Sequence, residues 1–216
     1  MNRETLLLNY FDAMSSRLGP SNWWPGDSPF EVSVGAILTQ NTNWNNVNKA
    51  ILNLKNRDLL EPKKLLLLSE DELAELIRPA GYFRIKAKRL KNFLYFLNNE
   101  CGFNFSVLQN KDIDQLRSKL LGVNGIGPET ADSIILYALN KPSFVVDAYT
   151  KRIFNRHDLV HEDMDYQELR DFFMSCLPKD TGLYNEYHAL LVMVGKKWCR
   201  KKNPLCLECP LSIFLE

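Results

Sequence analysis

Asp147 is a lone carboxylate closing an apolar run, Phe144-Val145-Val146. An acid in that setting could stabilise a developing positive charge or orient a water, because a fixed anion acts far more strongly in a dry pocket than in bulk solvent. It could also cap a helix beginning at Ala148, since Asp is a favoured N-cap, and the two roles are compatible. Upstream, Val123-Asn124-Gly125-Ile126-Gly127-Pro128-Glu129-Thr130-Ala131-Asp132 reads as a Gly-x-Gly turn entering a helix at Pro128. Pro in the first helical turn costs no hydrogen bond, because those N–H groups are unpaired anyway. The loop amides and the helix N-terminus form an anion site suited to a backbone phosphate. Gly-rich turns are common, so the motif alone is weak. Glu129 could serve as a base toward water, its carboxylate perturbed by a second one nearby, or could simply complement the helix dipole.

Two further groups could carry chemistry. Of the five cysteines, three crowd into Cys199-x6-Cys206-x2-Cys209. In a reducing compartment that spacing suggests a metal or cluster before disulfides. The alternative, three small buried hydrophobes, sits badly with the neighbours Arg200, Lys201, Lys202 and Glu208. Trp23-Trp24-Pro25 and Trp44 present large electron-rich faces. Trp usually packs in a core, but the Trp23-Trp24 pair lies in an irregular, Pro- and Gly-bearing segment where burial is harder. Basic residues gather at Arg84, Lys86, Lys88, Arg89 and Lys91, and again at Lys196, Lys197, Arg200, Lys201 and Lys202. Each group is a solvated helix face or a phosphate contact. His157, His161 and His188 form no evident ligand constellation.

The elements that must position these residues are helices. Ser28-Pro29-Phe30-Glu31 and Ser69-Glu70-Asp71-Glu72 read as capping boxes, and Asp165-Tyr166-Gln167-Glu168 starts a further helix. Apolar residues recur at helical spacing at Trp44, Val47, Ile51 and Leu54, at Leu90, Phe93, Leu94 and Leu97, at Ala131, Ile134, Ile135 and Ala138, and at Tyr187, Leu190, Leu191 and Val194. Ser143 to Val146 is the best strand signal and reads as an extended loop. Short helices joined by tight turns suggest an orthogonal bundle.

The chain has 216 residues, 45% of them hydrophobic and 25% charged, which is ordinary for a globular protein with a sizeable core. A net charge of +1 provides no global basic field, so a nucleic acid would be held by local patches and backbone amides. No apolar run reaches the roughly 18 residues of a membrane span. The start of the chain lacks the apolar segment and cleavage site of a secretory signal, so a cytoplasmic placement is expected.

The hairpin, Asp147, the turn Leu38-Thr39-Gln40-Asn41-Thr42 and the cysteine spacing together resemble the endonuclease III superfamily of helix-hairpin-helix DNA glycosylases. The resemblance spans about residues 22 to 209 and is most specific at 35–44, 120–151 and 199–209. It implies an all-α, two-lobed fold with DNA across a cleft. One lobe, 22–138, would carry the hairpin; the other would join 1–21 to 139–216 and its Cys loop, with Asp147 at the junction. Asp147 would stabilise the oxocarbenium-like sugar as the base departs. Val123, Gly125, Gly127 and Thr130 would hold a phosphate. Gln40 would fill the gap left by a flipped base, and Tyr82 in Gly81-Tyr82-Phe83-Arg84 would wedge against the orphaned base, offsetting lost stacking. Without the family pattern, Gln40 reads as a polar turn residue and Tyr82 as a core or surface aromatic.

Where bifunctional relatives carry a Lys that forms a Schiff base with C1′, this chain has Glu129, which cannot. An adenine-removing relative places a catalytic Glu where Ala36 stands here. Trp23, Trp24, Trp44 and Glu129 look like the bacterial 3-methyladenine DNA glycosylase branch, in which aromatic faces stack on a cationic alkylated base. Cys199, Cys206 and Cys209 match three positions of a four-cysteine [4Fe-4S] loop, but the fourth position is Leu215. Three thiolates could hold a cluster with an external ligand, with Cys176 or with Glu216, hold another metal, or be a remnant. The expected function is monofunctional excision of alkylated purines such as 3-methyladenine from damaged double-stranded DNA, by a monomer without a membrane partner. The alternatives are a glycosylase for oxidised or deaminated pyrimidines, or a DNA-binding module that has lost catalysis.

Overall fold

The computed structural model describes residues 2–215, which form helices and connecting loops with no strand among them. In chain order the α-helices are α1 (Arg3–Leu18), α2 (Pro29–Leu38), α3 (Trp44–Lys55), α4 (Pro62–Leu67), α5 (Glu70–Leu76), α6 (Phe83–Cys101), α7 (Phe105–Gln109), α8 (Ile113–Leu121), α9 (Pro128–Ser133), α10 (Ala148–Arg156), α11 (Tyr166–Met174) and α12 (Thr181–Lys197). They divide into two compact units, Pro25–Lys141 and Met1–Trp24 with Pro142–Glu216. Both limits fall a few residues later than 22 and 138, which places Trp23 and Trp24 with the terminal segments.

In the unit Pro25–Lys141, α2 is buried along its whole length from Phe30 to Leu38. A helix apolar on all sides belongs at the centre of a core, and α3, α6 and α9 pack around it. Helix α6 turns Leu90, Phe93, Leu94 and Leu97 inward, each nearly inaccessible, and burial of such side chains stabilises by about 1.5–3 kcal/mol apiece. Ser69 and Glu72 complete a reciprocal capping box. Ser28 caps α2 through the Glu31 N–H, but Glu31 does not return the bond to Ser28. Its carboxylate reaches back to the Asp27 N–H at 3.1 Å and pairs with Lys55 at 2.7 Å, so the second half of that expected box is replaced by an ion pair. Helix α9 continues into a π-helical turn, Ile134–Ala138, whose Ile134, Ile135 and Ala138 are buried.

The second unit is organised by aromatics. Phe144 stacks on Phe173 with centroids 4.3 Å apart and meets Tyr184 and Tyr187 edge-on, while Phe154 packs edge-on to Phe173. The buried Tyr187 hydroxyl donates to the Leu7 carbonyl at 2.8 Å, tying α12 to α1. Ser143 to Val146 belongs to no helix or strand and is fully buried. That burial fixes where the chain emerges at Asp147.

Candidate active site

Asp147 is the N-cap of α10. One carboxylate oxygen, Oδ1, accepts from the Thr150 N–H at 2.8 Å and from the Thr150 hydroxyl at 2.9 Å. The other, Oδ2, lies 3.7 Å from His188 Nε2 on α12, and the Asp147 side chain is 12% exposed. Burial opposes ionisation there, but the His188 imidazole and the two Thr150 donors outweigh it and hold the carboxyl below its ordinary range. Capping thus occupies one oxygen and leaves the second directed at a titratable ring. The sequence pattern assigns His188 no role, because its link to Asp147 joins α12 to the start of α10, far apart in sequence.

Helix α12 also fixes the tryptophan segment. Glu186 accepts from the Ser21 N–H at 2.7 Å and the Ser21 hydroxyl at 2.6 Å, and Ser21 Oγ in turn accepts from the Trp23 N–H at 3.2 Å. The Trp23 and Trp24 rings are half-buried and meet edge-on, 5.3 Å between centroids. Lys196 Nζ sits 5.8 Å from the centre of the Trp23 ring, so that face already meets a cation. The α10–α12 contact is close at Gly195, where a Cβ would lie 2.3 Å from Tyr149 Cδ1. Arg152 bridges the same helices, donating to the Gly195 and Cys199 carbonyls at 3.2 and 2.8 Å.

In the unit Pro25–Lys141, α8 and α9 form the hairpin. Arg117 on α8 makes a two-pronged pair with the fully buried Asp132 on α9, at 2.9 and 3.1 Å, fixing the helices against each other. Gly125 has φ +96°, a conformation that a glycine accommodates without strain. The Val123 N–H is committed to the Leu120 carbonyl at 3.0 Å and the Val123 carbonyl to the Ile126 N–H at 3.0 Å, so Val123 shapes the turn with the amide expected to hold phosphate. Gly127 is the N-cap of α9, whose first-turn N–H groups point out of the helix. Glu129 is exposed in that first turn. Thr130 is buried, and its hydroxyl accepts from Gln40.

Gln40 belongs to a network. Its Nε2 donates to the Gly125 carbonyl at 3.0 Å and to Thr130 Oγ1 at 2.9 Å, while its Oε1 accepts from Arg89. Tyr82 is left-handed, φ 45°, and 69% exposed at the start of α6, with Ile85 also exposed one turn on. Trp44 is half-buried at the first position of α3. Lys86 lies beneath both turns and donates to the Leu38 and Ala80 carbonyls, each at 2.8 Å. Burial, reinforced by the Arg89 charge, brings its pKa down to about 8. Lys91 similarly caps the end of α4 through the Leu65, Leu66 and Leu68 carbonyls. Both lysines are buried, so they leave the basic group counted as possible phosphate contacts, whereas Arg84 and Lys88 stay exposed.

Cys199, Cys206 and Cys209 line one cavity of about 200 Å³, along with His157, Trp198 and Leu215. Burial, and to a lesser degree the neighbouring Cys199 and Cys206, push the Cys209 thiol up. Arg156 donates to Cys199 Sγ at 3.3 Å and to the Arg200 and Lys201 carbonyls, shaping the loop. Among the described residues no group of three His, Cys, Asp or Glu side chains could hold a metal ion. Leu215 stands at the position of the expected fourth ligand, so among the described residues the expected ligation by Cys199, Cys206 and Cys209 has three thiols and no fourth protein donor beside them. Cys176 does not line the cavity, and Glu216 lies outside the described residues.

Comparison with known proteins agrees with this architecture. Residues 34–179 match the HhH-GPD superfamily base excision DNA repair protein family. A protein of Methanocaldococcus jannaschii that carries the provisional name DNA repair glycosylase is 50% identical over 214 residues, covering 99% of this chain and 97% of its own. The endonuclease III of Thermotoga maritima is 29% identical over 192 residues, covering 87% and 83%. Among solved structures, the H. pylori 3-methyladenine DNA glycosylase bound to 1,N6-ethenoadenine matches with a TM-score of 0.77 and 31% identity, over 91% of this chain and 98% of that one. A non-covalent endonuclease III–DNA complex shares the fold at a TM-score of 0.83 and 22% identity, over 100% and 96%. With the hairpin, the capped aspartate and the extent of these matches in place, the chain belongs to the HhH-GPD superfamily of base excision DNA repair proteins, as a DNA glycosylase.

Proposed function

We propose that this glycosylase is monofunctional and removes alkylated, cationic purines such as 3-methyladenine from duplex DNA, leaving the abasic strand uncut. The observation that carries the reading is Asp147, a largely buried carboxylate held ionised by Thr150 and His188, in a chain with Glu129 in the first turn of the hairpin's second helix. An anion in a dry setting favours positive charge on the sugar as the base leaves. A base that is already positively charged needs no strong general acid, and the exposed Glu129 carboxylate cannot condense with C1′. The faces of Trp23 and Trp24, the former already beside the Lys196 cation, and of Trp44 would stack on the cationic base. Glu129 would act toward water at most. Gly125, Gly127 and Thr130 would seat a backbone phosphate, Gln40 would fill the gap left by the extruded nucleotide, and Tyr82 would wedge against the orphaned base.

The likeness to the H. pylori 3-methyladenine enzyme supports the substrate class. The test is single-turnover cleavage of duplex DNA carrying 3-methyladenine, with and without alkali. Base release with strand breaks after alkali alone is expected. Breaks without alkali would defeat the monofunctional assignment. Release of thymine glycol or uracil from parallel duplexes carrying those bases, with 3-methyladenine left in place, would redirect the substrate to damaged pyrimidines.

A further inference from the structure

We propose that Arg89 is the positioning residue for Gln40, locking the intercalating side chain to the phosphate-binding hairpin. The inference rests on the reading of Gln40 as the residue that fills the gap in the duplex, and it adds the element that aims it. A glutamine amide has two N–H donors and one carbonyl acceptor. Here both donors are spent on the hairpin, on Gly125 O and Thr130 Oγ1, and the acceptor is held by the Arg89 guanidinium. These partners define which way the amide faces, since Arg89 can only donate and the Gly125 carbonyl can only accept.

Arg89 is itself fixed by the hairpin. Its stem lies across Gly125, where a Cβ would stand 2.2 Å from Arg89 Cγ, so the glycine makes room for the arginine as well as for the turn. Lys86, one turn earlier on α6, anchors the end of α2 that leads into the Gln40 turn. The Gln40 turn, the hairpin and α6 thus meet, and Arg89 is an α6 side chain that reaches both of the others. A phosphate seated at the hairpin would then find Gln40 at a set offset from it. A half-buried arginine beside the hairpin could instead be a plain phosphate contact, and the two roles differ in salt dependence.

The test uses the full chain and a duplex containing a non-hydrolysable abasic analogue with 2-aminopurine beside it, so that insertion is read without any excision. Preference for this duplex over an undamaged one is measured for the parent, Arg89→Met, Gln40→Ala and the double variant, across a salt series. Loss of a charge-assisted hold on Gln40 should lower the preference about tenfold in each single variant. The double variant should be no worse than Gln40→Ala, and the salt slope should stay as in the parent. The 2-aminopurine signal of Arg89→Met should fall to that of Gln40→Ala.

A slope lowered by about one, with effects that add, would make Arg89 a phosphate contact and overturn the proposal. So would an Arg89→Met protein that matches the parent, or a parent with no abasic preference, since there would be no insertion to position. If Arg89→Met fails to fold, Arg89→Lys replaces it. That variant keeps the charge but loses the planar fork, and the same non-additivity with Gln40→Ala is required. Normal abasic preference without release of 3-methyladenine would sink the substrate reading and leave this one standing.

Discussion

Replacing Asp147 by Asn separates its two tasks. The cap relies on Oδ1, which accepts from the Thr150 N–H and hydroxyl at 2.8 and 2.9 Å. An Asn side chain keeps that carbonyl oxygen, and Asn is as good an N-cap as Asp. The fold should therefore survive with a stability change of about 1 kcal/mol or less. What the variant loses is the charge. Oδ2 meets a positively chargeable nitrogen at 3.7 Å in a side chain 12% exposed. A sugar cation at a similar distance, in surroundings with an effective dielectric constant near 20, would be stabilised by about 4 kcal/mol. At roughly 1.4 kcal/mol per decade, the rate of base release should fall about a thousandfold. The assay is single-turnover release of 3-methyladenine, run beside thermal unfolding and binding to an abasic-analogue duplex. Release at a tenth of the parental rate or faster would refute the electrostatic reasoning. So would a loss of release accompanied by equal losses of folding and binding, because Asp147 would then be a cap and nothing more.

Other consequences follow from the ion pairs and the cysteine cavity. Asp132→Asn leaves the Arg117 guanidinium facing a neutral group in a buried pair, so unfolding in urea should show a loss of about 3 kcal/mol or more; a loss under 1 kcal/mol would mean that the pair is not what fixes the hairpin. Lys86 has a folded pKa near 8 against 10.5 for the free side chain, so above pH 8 the folded protein releases a proton that the unfolded chain still holds. Stability relative to Lys86→Met should rise as pH climbs from about 8 toward 10.5, and parallel curves for the two proteins would contradict the burial of its ammonium. Leu215→Cys adds a fourth thiol to the wall of the cysteine cavity. After anaerobic treatment with iron and sulfide it should retain a visible-absorbing cluster through gel filtration under conditions that strip the parent; equal retention would show that three thiolates suffice.

Local sequence chemistry determined much of this protein. The capping residues at Ser69 and Asp165, the Pro128 helix start and the helical spacing of apolar residues are short-range devices, and each forms where the pattern places it. Asp147 at the start of α10 is of the same kind, because an N-cap needs only the residues that follow it. Glu31 shows where such reading stops. Its reciprocal bond goes to Asp27, because Lys55, from another helix, competes for the same carboxylate. The lysines read as a basic patch along α6 divide by helix face, which turns Lys86 and Lys91 inward onto carbonyls that sequence spacing cannot locate. The His188 partner of Asp147, the Glu186 anchor of the tryptophan segment, the Arg117–Asp132 clamp and the Arg89 hold on Gln40 were likewise decided by tertiary packing. Each joins residues far apart in sequence, and their distance depends on how the helices and turns that carry them pack, a long-range outcome that no local periodicity encodes.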